Sequence, residues 1–422
     1  MAATSFSRVP IELVERFAQY LDPSDLMSFR TVCKQADVQT FQTVAQQFFS
    51  DLKCSLMGSD IQRLEGISRH EDLRRFVKTL RIEDDSQKHD PWSASEPPPA
   101  GSSYIWPRDD GGLVDRSRVS TEGLKTMLAE QRLRPETITF RDYRAEASNL
   151  LLFPETSESL DCRIAALEPI TVLARNVIGG ADLGVVSLDM RNVDIPLSRK
   201  SILHSPDIAQ GKTQVSLGGP TVKEVMLELL PQHQGQGIGF STLRSAKLCL
   251  TSNIDLYWLE QVLCNAPNLE DLQLSVANLW DHMLPADGLS SNLKQLDLSS
   301  ATLQTRNVLS VLANSKDSLT GISLRHITLS QGQGSSWREL LSMVGNDYPR
   351  LTSFHVMALK EGTTNSTNVN FLGFDKNAVA EENRSGLRAV EKGHAGNRRL
   401  TRVQYDGPNA GSVMRSLAAY AG

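Results

Sequence analysis

A chain of 422 residues and 46.5 kDa is too long for one small module and fits two or three domains or one elongated array. Hydrophobic residues at 40% and charged residues at 22% supply a sizeable core and exclude global disorder. The formal charge of -5, from 44 basic and 49 acidic residues, argues against nucleic acid as the main partner, because a binder of phosphate backbones needs a basic excess. No stretch approaches the roughly 18 to 20 uninterrupted apolar residues of a membrane span, and the start MAATSFSRVPIELVER lacks the apolar run of a signal peptide. Cys33, Cys54, Cys162, Cys249 and Cys264 are odd in number and form no C-x-x-C pair. That argues against a disulfide framework or a zinc site and for a reducing compartment, nuclear or cytosolic, where the sequons at Asn365 and Asn383 are never glycosylated.

The first fifty residues read as three short helices. Pro10 suits a first helical position, and Leu13, Phe17 and Leu21 follow on one face at a spacing of four. Asp22-Pro23 ends that helix, and Ser24 or Asp25 can cap a second one carrying Leu26 and Phe29. The spacing predicts a third helix over 37–49, with Val38, Phe41, Val44, Ala45 and Phe48 in one stripe. A unit of about 45 residues buries too little surface to be comfortable alone and leans on a partner or on the rest of the chain.

The run VPIELVERFAQYLDPSDLMSFRTVCK resembles an F-box. The matching positions are Val9, Pro10, Glu12, Leu13, Phe17, Leu21, Asp22, Pro23, Asp25, Leu26, Arg30, Val32, Cys33 and Lys34, with Val9 in place of the usual Leu and no Trp after Lys34. The resemblance covers about a tenth of the chain. It implies docking on the Skp adaptor of a cullin-RING ubiquitin ligase, through Pro10, Leu13, Leu21 and Leu26.

Beyond residue 50, windows of the form L-x-x-L-x-L recur. Leu243/Ala246/Leu248, Leu269/Leu272/Leu274, Leu293/Leu296/Leu298, Leu319/Ile322/Leu324 and Leu351/Phe354/Val356 start 26, 24, 26 and 32 residues apart. Weaker copies stand at Val77/Leu80/Ile82, Leu183/Val186/Leu188, Leu400/Val403/Tyr405 and Pro135/Ile138/Phe140. Triplets of this kind also arise by chance in a chain that is 40% apolar, so the context carries the reading. Helical patterns at 256–265, 307–314 and 337–345 precede three of the good windows, and Leu279, Leu303 and Leu329 follow ten residues after a window begins. Ala277, Ala301 and Ile327 stand where the usual Asn or Cys would be, so the familiar side-chain ladder is missing. The pattern fits an α/β fold, either an irregular leucine-rich-repeat horseshoe or a doubly wound sheet.

The expected division is an F-box at 6–50, linker helices and a first repeat at 51–83, a flexible Pro-, Gly- and Ser-rich loop at 84–118, and an irregular repeat domain at 119–422 with a helix at 121–131. A second polar segment at 362–397 interrupts the last repeats, and LTRVQYDGPNAGSVMRSLAAYAG reads as strand, turn and helix. Together with the F-box, the IWPRDDGG stretch and this end resemble fungal F-box proteins with degenerate leucine-rich repeats.

No H-E-x-x-H, G-x-S-x-G, P-loop or G-x-G-x-x-G pattern occurs, so no catalytic, cofactor or metal residue is nominated. The glycines of 235–239 and 332–334 read as loops, and Asp84-Asp85 and Asp109-Asp110 as solvated surface. Three functions stay open: the substrate-recognition subunit of a ligase, an F-box scaffold outside one, and an α/β enzyme with an unrecognised site. For the first, strand alternation turns Lys247 and Cys249, Gln273 and Ser275, Asp297 and Ser299, Ser323 and Arg325, and His355 and Met357 to the solvent side. Lys247, Gln273, Asp297, Arg325 and His355 are the expected contacts to a protein target.

Overall fold

The structure is a computed structural model that describes residues 9–55, 58–84, 118–130, 132–144, 169–194, 221–230, 239–250, 253–279, 289–330, 337–362, 367–371, 374, 379–392 and 399–421. The expected loop at 84–118 lies outside these residues except for its two ends. So do Cys162, Asn365, the IWPRDDGG stretch, the glycines at 332–334 and all of 235–239 but Gly239.

Residues 9–50 form four helices rather than three: α1 (Ile11–Ala18), α2 (Pro23–Arg30), α3 (Lys34–Gln39) and α4 (Phe41–Phe49). Pro10 sits one position earlier than expected, as the N-cap of α1. Asp22, rather than Ser24 or Asp25, caps α2: its Oδ1 accepts the Asp25 N–H at 2.8 Å, leaving Pro23 in the first turn. The backbone N–H of Asp25 and the hydroxyl of Ser24 hold the Asp22 carboxyl below its usual range. The expected helix over 37–49 breaks at Thr40, whose hydroxyl donates to the Ala36 carbonyl at 2.7 Å and so serves a carbonyl at the end of α3. The core of the unit is small: Ala18, Leu26 and Val44, with Leu21 packed against them.

The remaining described residues build a mixed α/β body around one large sheet of 15 strands. The strands are β1 (Asp51–Ser55), β2 (Thr79–Asp84), β3 (Thr137–Arg144), β4 (Val185–Asp194), β5 (Thr221–Leu229), β6 (Ser245–Leu250), β7 (Asp271–Leu279) and β8 (Gln295–Leu303). They continue with β9 (Gly321–Arg325), β10 (Thr328–Leu329), β11 (Ser353–Met357), β12 (Lys360–Glu361), β13 (Thr367–Asn368), β14 (Leu387–Lys392) and β15 (Arg399–Asp406). The main path runs β1-β2-β3-β5-β4-β6-β7-β8-β9-β11-β15-β14. Residues 51–83 hold β1 directly after α4, then two helices, then β2 on the first weak window; β1 pairs parallel with β2, and the Ser50 carbonyl accepts the N–H groups of Lys78 and Thr79.

Helices α5 (Gly58–Arg69), α6 (Glu71–Arg74), α7 (Arg118–Ala129), α8 (Pro169–Ala181), α9 (Asn253–Asn265), α10 (Thr305–Leu312) and α11 (Trp337–Asp347) are interspersed among the strands, and α12 (Ala410–Ala418) follows the last of them. Their inner residues, such as Leu128, Val177, Val262 and Leu340, join one continuous cluster with two rows of strand residues. One row runs in register from Leu52 through Leu80, Ile138, Leu227, Leu188, Ala246, Leu272, Leu296, Ile322 and Phe354 to Tyr405. Strand alternation with period two puts every second residue on this face, and the next in line form the second row.

The five strong windows are buried throughout, and their spacing repeats in the backbone hydrogen bonds. The carbonyls of Arg244, Glu270, Lys294 and Thr320 each accept two N–H groups at the start of the next strand, and Thr352 passes the pattern on to Gly407. A side-chain ladder also exists, but before the strands rather than after them. Asn268 donates to the Ser241 carbonyl, Ser290 and Asn292 to that of Pro267, Ser318 to that of Leu293, and Thr352 to that of Thr320. These bonds satisfy turn carbonyls, as the missing Asn ladder would have done elsewhere. After the strand, Ser300, His326 and Ala358 take positive φ at equivalent places, turning the chain into the short pairs β8–β10 and β10–β12. Ala301 and Ile327 then fill the core as apolar substitutes.

Three features depart from the sequence pattern. β5 inserts antiparallel between β3 and β4, a strand the windows missed. β15 pairs antiparallel with β11, although its window resembles the parallel ones. The polar segment at 362–397 contains β14, paired antiparallel with β15. Asn383 within it is buried, accepting from Tyr405 Oη at 3.2 Å and from Asn409 Nδ2 at 2.8 Å, so it ties β15 to the start of the C-terminal helix. Among the described residues no helix is long and apolar enough to cross a membrane.

Candidate binding surfaces

Two surfaces stand out, one on the helical cap and one on the sheet. Among the described residues, nine of the ten large apolar side chains left exposed lie between Val9 and Phe48. Three of them, Ile11, Leu13 and Phe17, lie on α1. Val14 and Ala18 turn inward, while Leu13 at 57% and Phe17 at 53% exposure stay outside. Val32 and Val38 are each 71% exposed, and Phe17 is held edge-on by Phe29 at 5.6 Å. Of the four expected adaptor contacts, Pro10 and Leu13 are on the surface and Leu21 is half-buried. Leu26 is corrected to a core residue: it is 0% exposed, so it supports the surface from below rather than touching a partner.

The sheet presents a polar face opposite the core. In register across neighbouring strands lie Asp189, Lys247, Gln273, Asp297, Ser323, His355 and Gln404. The structure thus brings together all five expected target contacts, with Arg325 one step along β9. Lys247 is exposed; the others are partly covered. Arg325 holds Asp297 through two bonds, Nε to Oδ1 at 3.2 Å and Nη2 to Oδ2 at 2.7 Å. Two depressions mark the face, one of about 690 Å³ between β4 and β9 and one of about 250 Å³ around Ser323, His355 and Gln404.

Charge is distributed unevenly along this face. Towards β1 an alternating chain of ions crosses the strands: Lys53 meets Glu83 at 2.5 Å, Arg141 meets Glu83 at 3.7 Å and Glu224 through Nε at 2.9 Å, and Arg191 donates to Asp189 Oδ2 at 2.6 Å. Glu83, Asp189 and Glu224 are buried, which such pairing makes tolerable. Towards β11 the row itself carries Ser323, His355 and Gln404, with charged groups beside it. Burial raises the Asp271 carboxyl above its usual range, with Lys247 opposing and Asp297 adding to the rise. Burial, with Arg402 and Arg325, pushes His355 below its usual range against the pull of Asp297 and Asp406.

Sequence reasoning missed Asp189 and Gln404, although the signal was present. Each sits beside the last member of a weak window, Leu188 or between Val403 and Tyr405, where alternation sends it to the polar face. Among the described residues, Cys33, Cys54, Cys249 and Cys264 form no disulfide, and burial pushes the Cys54 thiol up to about 12. No protein-family model matches the chain, and no curated protein matches it significantly.

Proposed function

We propose that this chain is the substrate-recognition subunit of a Skp-cullin-F-box ubiquitin ligase of the nucleus or cytosol, and not itself an enzyme. The helical cap docks on the Skp adaptor and, through it, a cullin. The body acts as an irregular leucine-rich-repeat solenoid that holds a protein target. One observation carries the reading: the exposed large apolar residues are gathered on the cap, around a core too small to bury them. The spacing of 26, 24, 26 and 32 residues between equivalent backbone bonds supports the solenoid.

Co-purification of the full chain with the Skp adaptor and a cullin tests this. Leu13→Asp should abolish capture while leaving the fold intact, because Leu13 is already more than half exposed and a carboxylate in an apolar interface is costly. Capture surviving that change in a folded protein would refute the docking surface.

A further inference from the structure

The polar face carries more information than a mixed patch, because its free hydrogen-bonding capacity lies along one row. Asp189 is 2% exposed; its Oδ2 is taken by Arg191, while its Oδ1 is buried with no hydrogen-bond partner. Ser323 Oγ and His355 Nε2, on the neighbouring strands β9 and β11, are also buried and without a partner. A buried polar atom left unpaired is costly, so a ligand that satisfies it gains affinity in return. The three atoms bracket Lys247, Gln273 and Asp297 on the strands between.

The charges in the larger depression fix the sign of the ligand. Its wall holds Asp189 and Asp297 against Arg191, Lys247 and Arg325. Two of the cations are engaged, Arg191 with Asp189 and Arg325 with Asp297. Lys247 is exposed and, among the described residues, makes no ion pair; its charge is felt by Asp271 through space. The depression therefore has one cation in excess, set beside a buried acceptor.

We propose that this face binds an extended acidic peptide laid across the strands, with a glutamate or aspartate carboxylate on Lys247 and main-chain amides over Asp189, Ser323 and His355. The amide group fits all three atoms: its N–H donates to Asp189 Oδ1 or to the neutral His355 Nε2, and its carbonyl accepts from the Ser323 hydroxyl. Arg402, Arg325, Asp297 and Asp406 face His355, and burial with the two arginines favours the neutral ring that such a bond needs. From β4 to β11 the row spans five interstrand steps of about 4.8 Å, or roughly 24 Å, which an extended peptide covers in about seven or eight residues. A nucleic-acid strand is a poor occupant, since one surplus cation flanked by carboxylates does not neutralise a run of phosphates.

The inference rests on the substrate-recognition reading and names its substrate class. The test uses the full chain and three libraries of eight-residue peptides with a fixed central glutamate, glutamine or lysine, read by fluorescence anisotropy. The glutamate library should bind best, Lys247→Gln should weaken it about tenfold or more, as expected for a lost charge-assisted bond, and Lys247→Arg should restore it. Equal binding of the glutamine library, preference for lysine, no binding of the glutamate library, or indifference to Lys247→Gln would each overturn the proposal. Adaptor capture measured on the same variants separates the two readings: capture without glutamate-selective binding defeats this inference alone, and selective binding without capture defeats the ligase reading alone.

Discussion

The helical cap and the sheet body treat apolar residues in opposite ways. The body sinks its aliphatic rows into one cluster that runs from Leu52 to Ala421. The cap buries only Val14, Ala18, Leu26, Ala36, Val44 and Ala45 of its apolar residues and leaves Leu13, Phe17, Val32 and Val38 in solvent. The physical cause is size: four short helices cannot enclose their own apolar side chains, whereas each added strand and helix of the body shares a core with its neighbours. The larger core therefore lies in the body, and the cap keeps apolar surface in solvent. The two regions are nonetheless joined firmly, since α4 leads straight into β1 and Phe41 packs edge-on against Phe76 at 6.3 Å.

The largest test of this contrast truncates one anchor in each region. Trp337 is buried in the body and donates Nε1–H to the Lys360 carbonyl at 2.7 Å. Trp337→Ala should cost about 3–5 kcal/mol of the main unfolding transition in denaturant. Leu26→Ala should cost about 2–5 kcal/mol, but hydrogen exchange should show the loss confined to residues 11–49, with protection of the sheet retained. Uniform loss across both regions would show that they unfold as one.

A subtler test acts through pH on the body. His355 is held below its ordinary value of 6.5 by burial and by Arg402 and Arg325, so the unfolded chain takes up its proton more readily than the folded one. Its contribution to stability is complete above about pH 6.5 and falls as the pH drops below that value. His355→Gln should flatten that part of the profile in thermal melts at pH 5 to 7, and an unchanged slope would assign the acid sensitivity elsewhere.

The smallest expected effect is a gain. Ala358 turns its strand with φ of 50°, a conformation that costs a residue with a Cβ roughly 1–2 kcal/mol, while glycine adds about 0.5–1 kcal/mol of chain entropy on unfolding. Ala358→Gly should therefore stabilise the body by up to about 1 kcal/mol, measured by denaturant midpoint, with no effect on the cap.

The sequence by itself determined the inward and outward sides of the parallel strands. Alternation with period two is local, so Leu272 and Leu274 had to share a face and Gln273 had to oppose them, and the same logic brought Lys247, Asp297 and His355 to one surface. It also determined α10 and α11, whose apolar periods are strong, and the apolar stripe of α1. Partner choice was not local. Whether a strand pairs parallel or antiparallel depends on where its neighbours have already been placed, so β5, β14 and the direction of β15 emerged only with the tertiary structure. The same holds for burial on the cap, where Leu13 and Leu26 look alike in sequence, and only the packing of α1 and α2 against α4 decided that one faces water and the other is sealed. Satisfaction of hydrogen bonds was likewise a tertiary outcome: Asp189, Ser323 and His355 were left with unpaired atoms along one row because their partners would have to come from neighbouring strands or from a bound ligand.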